Sequence, residues 1–235
     1  MHQALLSGLL SPLGVDAPSF WNGLCAGRSG VDFITELSTE KLRTDIAANV
    51  RGFDPKSVLE TREIDYTGRV VQLGLAASLQ AVREARLEDV DRTRVGVLVS
   101  SGQGSVEIFV DQVQRAAARG PRAVSPYFIP SAMPNALSGL IATKLGLRGP
   151  SFNIASACAT STHSLAIGAL LILSGDADVV IAGGGEAATC PATIAGFGNA
   201  RALAKAYQGD PTRASRPYDK PVSYTHLTLP TSDLV

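Results

Sequence analysis

Cysteine is scarce in this chain, which has three in 235 residues. Cys25, Cys158 and Cys190 lie far apart, and no two of them form a CxxC pair. A disulfide framework needs an even set of cysteines, and a structural zinc site needs clustered ligands. The sequence therefore predicts neither, and a reducing cytoplasm is the simplest location for three free thiols.

The chain also lacks an excess of charge and any very long apolar run. Lys+Arg and Asp+Glu are both 21, so no global field favours nucleic acid or an anionic membrane. The most apolar run, residues 164–175, is too short to span a bilayer. The opening "MHQALLSGLLSPLG" has no basic segment before its apolar residues, and Pro12 interrupts it, so we expect no signal peptide.

Short apolar segments predict an α/β fold. β-branched and apolar runs indicate strands at 94–102, 178–188, 151–157 and 2–10. Helical patterns cover 68–87, which has one apolar stripe, and 161–174, which is apolar almost all round and is expected inside the protein. Because strands alternate with helices, we expect a layered fold with a largely parallel sheet.

Two further segments differ in character from their surroundings. Residues 119–135 carry four prolines and predict a long ordered loop, the kind that often shapes a site. Residues 221–235, "PVSYTHLTLPTSDLV", are rich in Ser, Thr, Leu and Pro, whereas the preceding chain is rich in Ala, Gly and Val. We interpret them as a tail that is not native to the fold.

Cys158 lies in "NIASACATSTHS", between a predicted strand and a predicted helix. A thiol at such a turn faces the positive end of the helix dipole, which favours a nucleophilic thiolate. A small buried hydrophobe is the alternative, and the local pattern leaves both open. Cys25 and Cys190 are expected to be structural. His163 would point about 140° away from Cys158 on a helix, so we expect a core or supporting histidine rather than the base.

A set of motifs in order along the chain resembles the β-ketoacyl-acyl carrier protein synthases, and among them the elongating enzymes of fatty acid synthesis. The motifs are "SPYFIPSAMPN", "LGLRGPSFNI", "SACATSTHS", "GDADVVIAGGGEA", "GFGNARALA" and "ASRPYDK". The resemblance covers roughly residues 5 to 220. It implies the thiolase-like fold, a mixed sheet between helical layers in each of two halves, with residues 1–220 as the N-terminal half.

The resemblance implies that Cys158 accepts an acyl chain from the phosphopantetheine thiol of an acyl carrier protein. A malonyl carrier then loses CO2, and its enolate attacks the Cys158 thioester, whose oxyanion the Cys158 N–H helps to stabilise. No cofactor bound by the protein itself and no metal are implied, and the partners are the carrier protein and a second copy in a homodimer. The location it implies is cytoplasmic.

The resemblance also implies roles for five other residues. Phe109 matches the end of the acyl pocket, where a ring shortens the accepted chain. Met133 and Phe197 match the tunnel lining, although each is equally explained as core. Arg122 and Arg201 match basic positions that meet the acidic carrier, with simple solvation as the alternative.

One departure from the family concerns the other catalytic groups. After "ASRPYDK" the family continues into a half that holds two histidines, which assist decarboxylation, and a phenylalanine of the oxyanion hole. None of these has a match in this sequence, so we expect a poorly soluble chain that forms no carbon–carbon bond alone. A polyketide-type ketosynthase and a non-catalytic chain-length-factor-like partner remain alternatives, the second disfavoured by Cys158.

Overall fold

The described part of this computed structural model, residues 7–206 and 208–216, alternates helices with short strands. The strands are β1 (Asp32–Phe33), β2 (Ile46–Ala47), β3 (Val95–Ser100) and β4 (Val179–Gly184). The helices are α1 (Ala17–Cys25), α2 (Thr61–Ile64), α3 (Arg69–Ala85), α4 (Val106–Arg119), α5 (Phe128–Ala132), α6 (Ala136–Leu145), α7 (Thr160–Leu173) and α8 (Pro191–Asn199). Short 3₁₀ turns connect several of them.

β3 and β4 form the central parallel pair. Their register runs from Val95 opposite Val179 to Ser100 opposite Gly184, and every residue of β3 is buried. The strands predicted at 94–102 and 178–188 are thereby confirmed. Parallel strands need a long crossover, which here contains α4 to α7 and brings both carboxyl ends to one edge.

Helices cover both faces of this pair. Val97, Val99 and Ile181 pack in a cluster with Leu75 of α3 and with Leu137 and Ile141 of α6. On the other face, a Cβ atom at Gly168 of α7 would lie 3.2 Å from the side chains of both Val180 and Ala182. The α/β layered arrangement is therefore as predicted, and α3 confirms the helix expected at 68–87.

The interior position expected for α7 is wrong. The helix has its predicted length, but its buried residues are the small ones, Thr160, Ser164 and Gly168. Leu165, Leu170 and Leu173 are 49%, 57% and 71% exposed. Small residues let the helix approach β4 closely, and the leucines then project outward, where no described residue covers them.

Three other sequence expectations differ from the structure. Residues 151–157 form no strand, because only Ser151 makes a bridge, to Val97. Residues 119–135 are no simple loop, since they contain the 3₁₀ turn Pro121–Ala123 and α5. Residues 7–10 are not a strand; the rest of 2–10 and the whole tail 221–235 lie outside the described residues. Within the described ranges, no helix combines the length and apolar character needed to cross a membrane.

An ion pair joins the residues that directly precede β3 and β4. Arg94 donates from Nη2 to Asp178 Oδ1 and to the Gly175 carbonyl oxygen, each at 2.8 Å. The hydrogen bond from Arg94, with the attraction of its charge, holds the pKa of Asp178 below its ordinary value. A depressed pKa means that the pair stabilises the fold above the unfolded-state pKa, about 3.9, and stops doing so as pH falls through the lower folded-state value.

We therefore expect Asp178→Asn to lower the thermal midpoint by a few degrees at most near neutral pH, since Asp178 is exposed and Arg94 only half-buried. The difference between parent and variant should shrink at acid pH, as protonation removes the same charge from the parent. Thermal unfolding followed by circular dichroism across this range measures it. An equal difference at neutral and strongly acid pH would show that the amide change acts through packing rather than charge.

Candidate active site

Cys158 lies in a strained turn directly before α7. The 3₁₀ turn Ala157–Ala159 leads into the helix, and Ala157 has φ 50°, an unusual value for a residue with a side chain. Such strain costs on the order of 1–3 kcal/mol and persists only where neighbours hold it. Here Ser156 donates its N–H to Thr160 Oγ1 at 3.0 Å, which ties the turn to the first residue of α7.

His163, in the first turn of α7, contacts the turn that carries Cys158. Its Nδ1 lies 2.6 Å from Ser156 Oγ, whereas no hydrogen bond joins the ring to the Cys158 thiol. Two positions were expected for His163, one in the core and one supporting the Cys158 turn. The ring is exposed, so the core position is wrong. Its contact with Ser156 fits the supporting position.

The Cys158 thiol opens into a cleft of about 660 Å³ at the carboxyl ends of β3 and β4. One wall is the turn after β3, with Gly102 and Gln103, and another is residues 184–186 at the end of β4. Phe197 of α8 and Ala155 also line the space. Ligands bind at this edge of parallel sheets, because the loops there converge.

Glu186 organises the wall opposite Cys158. Its Oε1 accepts the Ser101 hydroxyl at 2.9 Å, and its Oε2 accepts the N–H groups of Gly102 at 3.1 Å and Gln103 at 3.2 Å. Asn153 adds two bonds to the Ser101 backbone, at 2.8 and 3.2 Å. Neither residue is among those predicted from the sequence. For Glu186 the available signal was a carboxylate directly after the glycines that end a buried strand.

Buried serines join the cleft to α7. Ser100, at the end of β3, accepts the N–H of Ile154 at 3.1 Å, and its hydroxyl lies 2.9 Å from that of Ser164. Both serines are fully buried. The strand end, the segment before Cys158 and the helix after it therefore form one hydrogen-bonded unit, whose polar members hydrophobic patterns did not reveal.

Residues 7–224 match the sequence family described as "Beta-ketoacyl synthase, N-terminal domain". The chain belongs to this β-ketoacyl synthase family. It is 39% identical over 215 residues to 3-oxoacyl-[acyl-carrier-protein] synthase 2 of Vibrio cholerae, covering 91% of this chain and 52% of that protein.

Two solved structures are similar to this β-ketoacyl synthase chain. A β-ketoacyl synthase from Burkholderia phymatum gives a TM-score of 0.80 at 25% identity, covering 93% of this chain and 54% of the other. The ishigamide ketosynthase/chain length factor gives 0.77 at 28% identity, with coverages of 84% and 50%. The thiolase-like fold is thereby confirmed. The chain spans about half the length of each of these relatives.

Of the three predicted acyl-pocket residues of this synthase chain, only Phe197 lines the Cys158 cleft. Met133 lines a separate cleft of about 380 Å³, which also contains the stacked rings of Tyr66 and Tyr127. Phe109 on α4 is 53% exposed, and its ring centroid lies 5.4 Å from that of Phe128. These placements leave the three roles as predictions.

The two arginines predicted to meet a carrier protein are both on the surface. Arg122 lies in the 3₁₀ turn after α4, and Arg201 follows α8, four residues after Phe197. Both are exposed, and neither forms an ion pair with any described residue.

The other two cysteines lie outside the Cys158 cleft. Cys25 is exposed at the end of α1, while Cys190 is buried directly before α8, with its Sγ 3.1 Å from Thr193 Oγ1.

Proposed function

We propose that this chain is the acyl-accepting, N-terminal half of a 3-oxoacyl-[acyl-carrier-protein] synthase of fatty acid synthesis. The observation that carries the proposal is the exposed thiol of Cys158 at the start of α7, open to the cleft. In this proposal residues 1–220 form the synthase half, and residues 221–235 are not native to the fold. The relative from Vibrio cholerae, named for this activity, supports the fatty acid pathway.

The proposed chemistry is a transfer between two thiols. The Cys158 thiol gives up its proton and its sulfur attacks the acyl carbonyl carbon of a carrier-bound thioester. The bond from that carbon to the carrier sulfur breaks, and the carrier sulfur leaves as a thiolate that takes up a proton to become the free thiol. The amino end of α7, a helix of 14 residues, favours the developing oxyanion. In this scheme the Cys158 N–H is one oxyanion donor, and condensation with a malonyl carrier follows in the complete enzyme.

The partner in this scheme is an acidic acyl carrier protein, and we place its contact at Arg122 and Arg201. Both guanidinium groups are exposed, and neither has a carboxylate partner among the described residues that a carrier would need to displace. A homodimer and a cytoplasmic location complete the proposal. This chain alone is expected to stop at the acyl-Cys158 stage, because no residue in it matches the histidines that assist decarboxylation.

A chain-length-factor-like or polyketide role is the second candidate, supported by the similarity to the ishigamide ketosynthase/chain length factor. A non-catalytic chain-length-factor-like partner would take no acyl group on Cys158, whereas a ketosynthase of either pathway would. The test is incubation of the purified chain with an acyl carrier protein loaded with a medium-length acyl chain, followed by peptide mapping by mass spectrometry. We expect the acyl mass on the peptide that contains Cys158. No adduct, or an adduct spread equally over Cys25 and Cys158, would refute the acyl-accepting role.

Phe109 provides a test of substrate length. If its ring closes the acyl pocket, Phe109→Ala should shift acylation of Cys158 toward longer chains, because removing the ring opens space. Competition between short and long acyl carriers, with the adducts on Cys158 quantified by mass, measures the shift. Val113→Ala is the matched control, one turn later on α4 and similarly exposed. An unchanged chain-length profile, or the same shift in both variants, would place Phe109 outside the pocket.

A further inference from the structure

Glu186 is an exposed carboxylate that binds the turn after β3 rather than a cation. Its two oxygens accept three hydrogen bonds, all from residues 101–103, and no lysine or arginine of the described chain forms an ion pair with it. Bonds to a charged acceptor are stronger than neutral ones. The Ser101 hydroxyl extends the set, since it accepts the Gly104 N–H at 2.8 Å.

The turn to which Glu186 is hydrogen-bonded lies beside the turn that carries Cys158. A Cβ atom at Gly102 would lie 3.2 Å from Glu186 Oε2, 3.6 Å from Thr160 Oγ1 and 3.7 Å from the Ala157 carbonyl oxygen. Gly102 therefore lies between the carboxylate and the residue directly before Cys158. Gly102, Glu186 and Cys158 all line the same cleft.

A role for Glu186 as base toward the thiol does not fit this geometry. No hydrogen bond joins Glu186 to Cys158, and the bonds the carboxylate makes point to the turn after β3. The carboxylate is hydrogen-bonded to that turn, and the turn lines the cleft that contains Cys158.

We propose that Glu186 is a positioning residue that fixes residues 101–103 against the Cys158 turn and so shapes the cleft for the incoming acyl group. This inference rests on the proposed acyl-accepting function. It concerns the binding of the acyl group at the cleft, not the reactivity of the thiol itself.

The test compares Glu186→Ala and Glu186→Gln with the parent in the 235-residue chain. Glu186→Ala should slow acylation of Cys158 by an acyl carrier about tenfold, the loss expected for a strong positioning bond. Glu186→Gln keeps one acceptor oxygen and should recover part of the rate. Alkylation of Cys158 by iodoacetamide, a small reagent that needs no shaped cleft, should stay near the parental rate in both. Amide hydrogen exchange at Gly102 and Gln103 should accelerate in Glu186→Ala.

Asp91→Ala is the matched control. Asp91 Oδ1 also accepts a backbone N–H and a hydroxyl, both from Thr93, but lies before the opposite end of β3. A parent that takes no acyl group refutes the proposed function. A parent that is acylated together with a Glu186→Ala variant acylated equally fast refutes the positioning role. The positioning role is also refuted if Asp91→Ala slows acylation as much as Glu186→Ala does, or if alkylation of Cys158 slows in parallel with acylation. Either result would indicate general destabilisation of the chain.

Discussion

Replacing Cys158 with alanine is expected to abolish acyl transfer to this chain while leaving its fold unchanged. The thiol is exposed in the cleft, and its sulfur makes no hydrogen bond with the described residues, so removing it opens no buried cavity. Alanine already flanks the position on both sides, at Ala157 and Ala159, and is compatible with the 3₁₀ turn. The acyl adduct detected by mass spectrometry should therefore disappear, and the far-ultraviolet spectrum and thermal midpoint should match those of the parent.

The other two cysteines are the controls for this result. Cys25→Ala removes a thiol that is also exposed, and it should leave acylation at the parental level because Cys25 does not line the cleft. Cys190→Ala removes a buried thiol and should lower stability rather than chemistry. Acylation of the Cys158→Ala variant at the parental rate would transfer the role to another nucleophile and refute the assignment.

The central elements could be predicted because their sequence patterns are determined by burial within the chain itself. β3 is buried at every position, so its run of valines and leucine stands out without a partner strand being known. α3 has a buried stripe that includes Val70, Val71 and Leu75, which is the periodicity of a helix packed on one side.

Hydrophobic patterns predicted burial incorrectly where the burial of a surface depends on which other element covers it. The apolar sequence of α7 specifies a helix, yet it cannot distinguish a helix covered on all sides from one with Leu165, Leu170 and Leu173 exposed. Residues 151–157 have strand-like composition. Only one residue of the segment bridges to β3, because the following residues turn toward Cys158 instead of continuing along the strand.

The position of Cys158 before a helix could be predicted, but the residues that hold the neighbouring turn could not. Cys158 lies directly before α7, a position that is recognisable in sequence, whereas Glu186 and Asn153 bind backbone groups of residues about 50 to 85 positions away. No local pattern encodes such a pairing. Phe109 and Met133, which a motif match assigned to the acyl pocket, do not line the Cys158 cleft in this chain, and their roles stay predictions.

The closest packing at the cleft predicts a second large effect, at Gly184. This residue ends β4 opposite Ser100, and a Cβ atom there would lie 2.6 Å from the Ser100 carbonyl oxygen and 2.8 Å from Ser161 Oγ. The first contact is with backbone, so a rotamer change cannot relieve it. Gly184→Ala should therefore push apart the carboxyl ends of β3 and β4, where Ser100 also accepts the Gly185 N–H at 3.0 Å. We expect a loss of about 1–3 kcal/mol in unfolding free energy.

Gly185→Ala distinguishes this clash from the general cost of adding a methyl group. Its Cβ would meet only Val70 Cγ2 at 3.9 Å, an ordinary contact, although the residue lines the same cleft one position later. Urea unfolding should give a lower midpoint for Gly184→Ala and a nearly parental one for Gly185→Ala. Acylation of Cys158 should fall in the first variant far more than in the second, because the displaced strand end carries the turn at Gly102 with it. Equal midpoints and equal acylation in the two variants would mean that the strand ends move apart without loss of stability. The inference that this edge of the cleft is rigid would then be wrong.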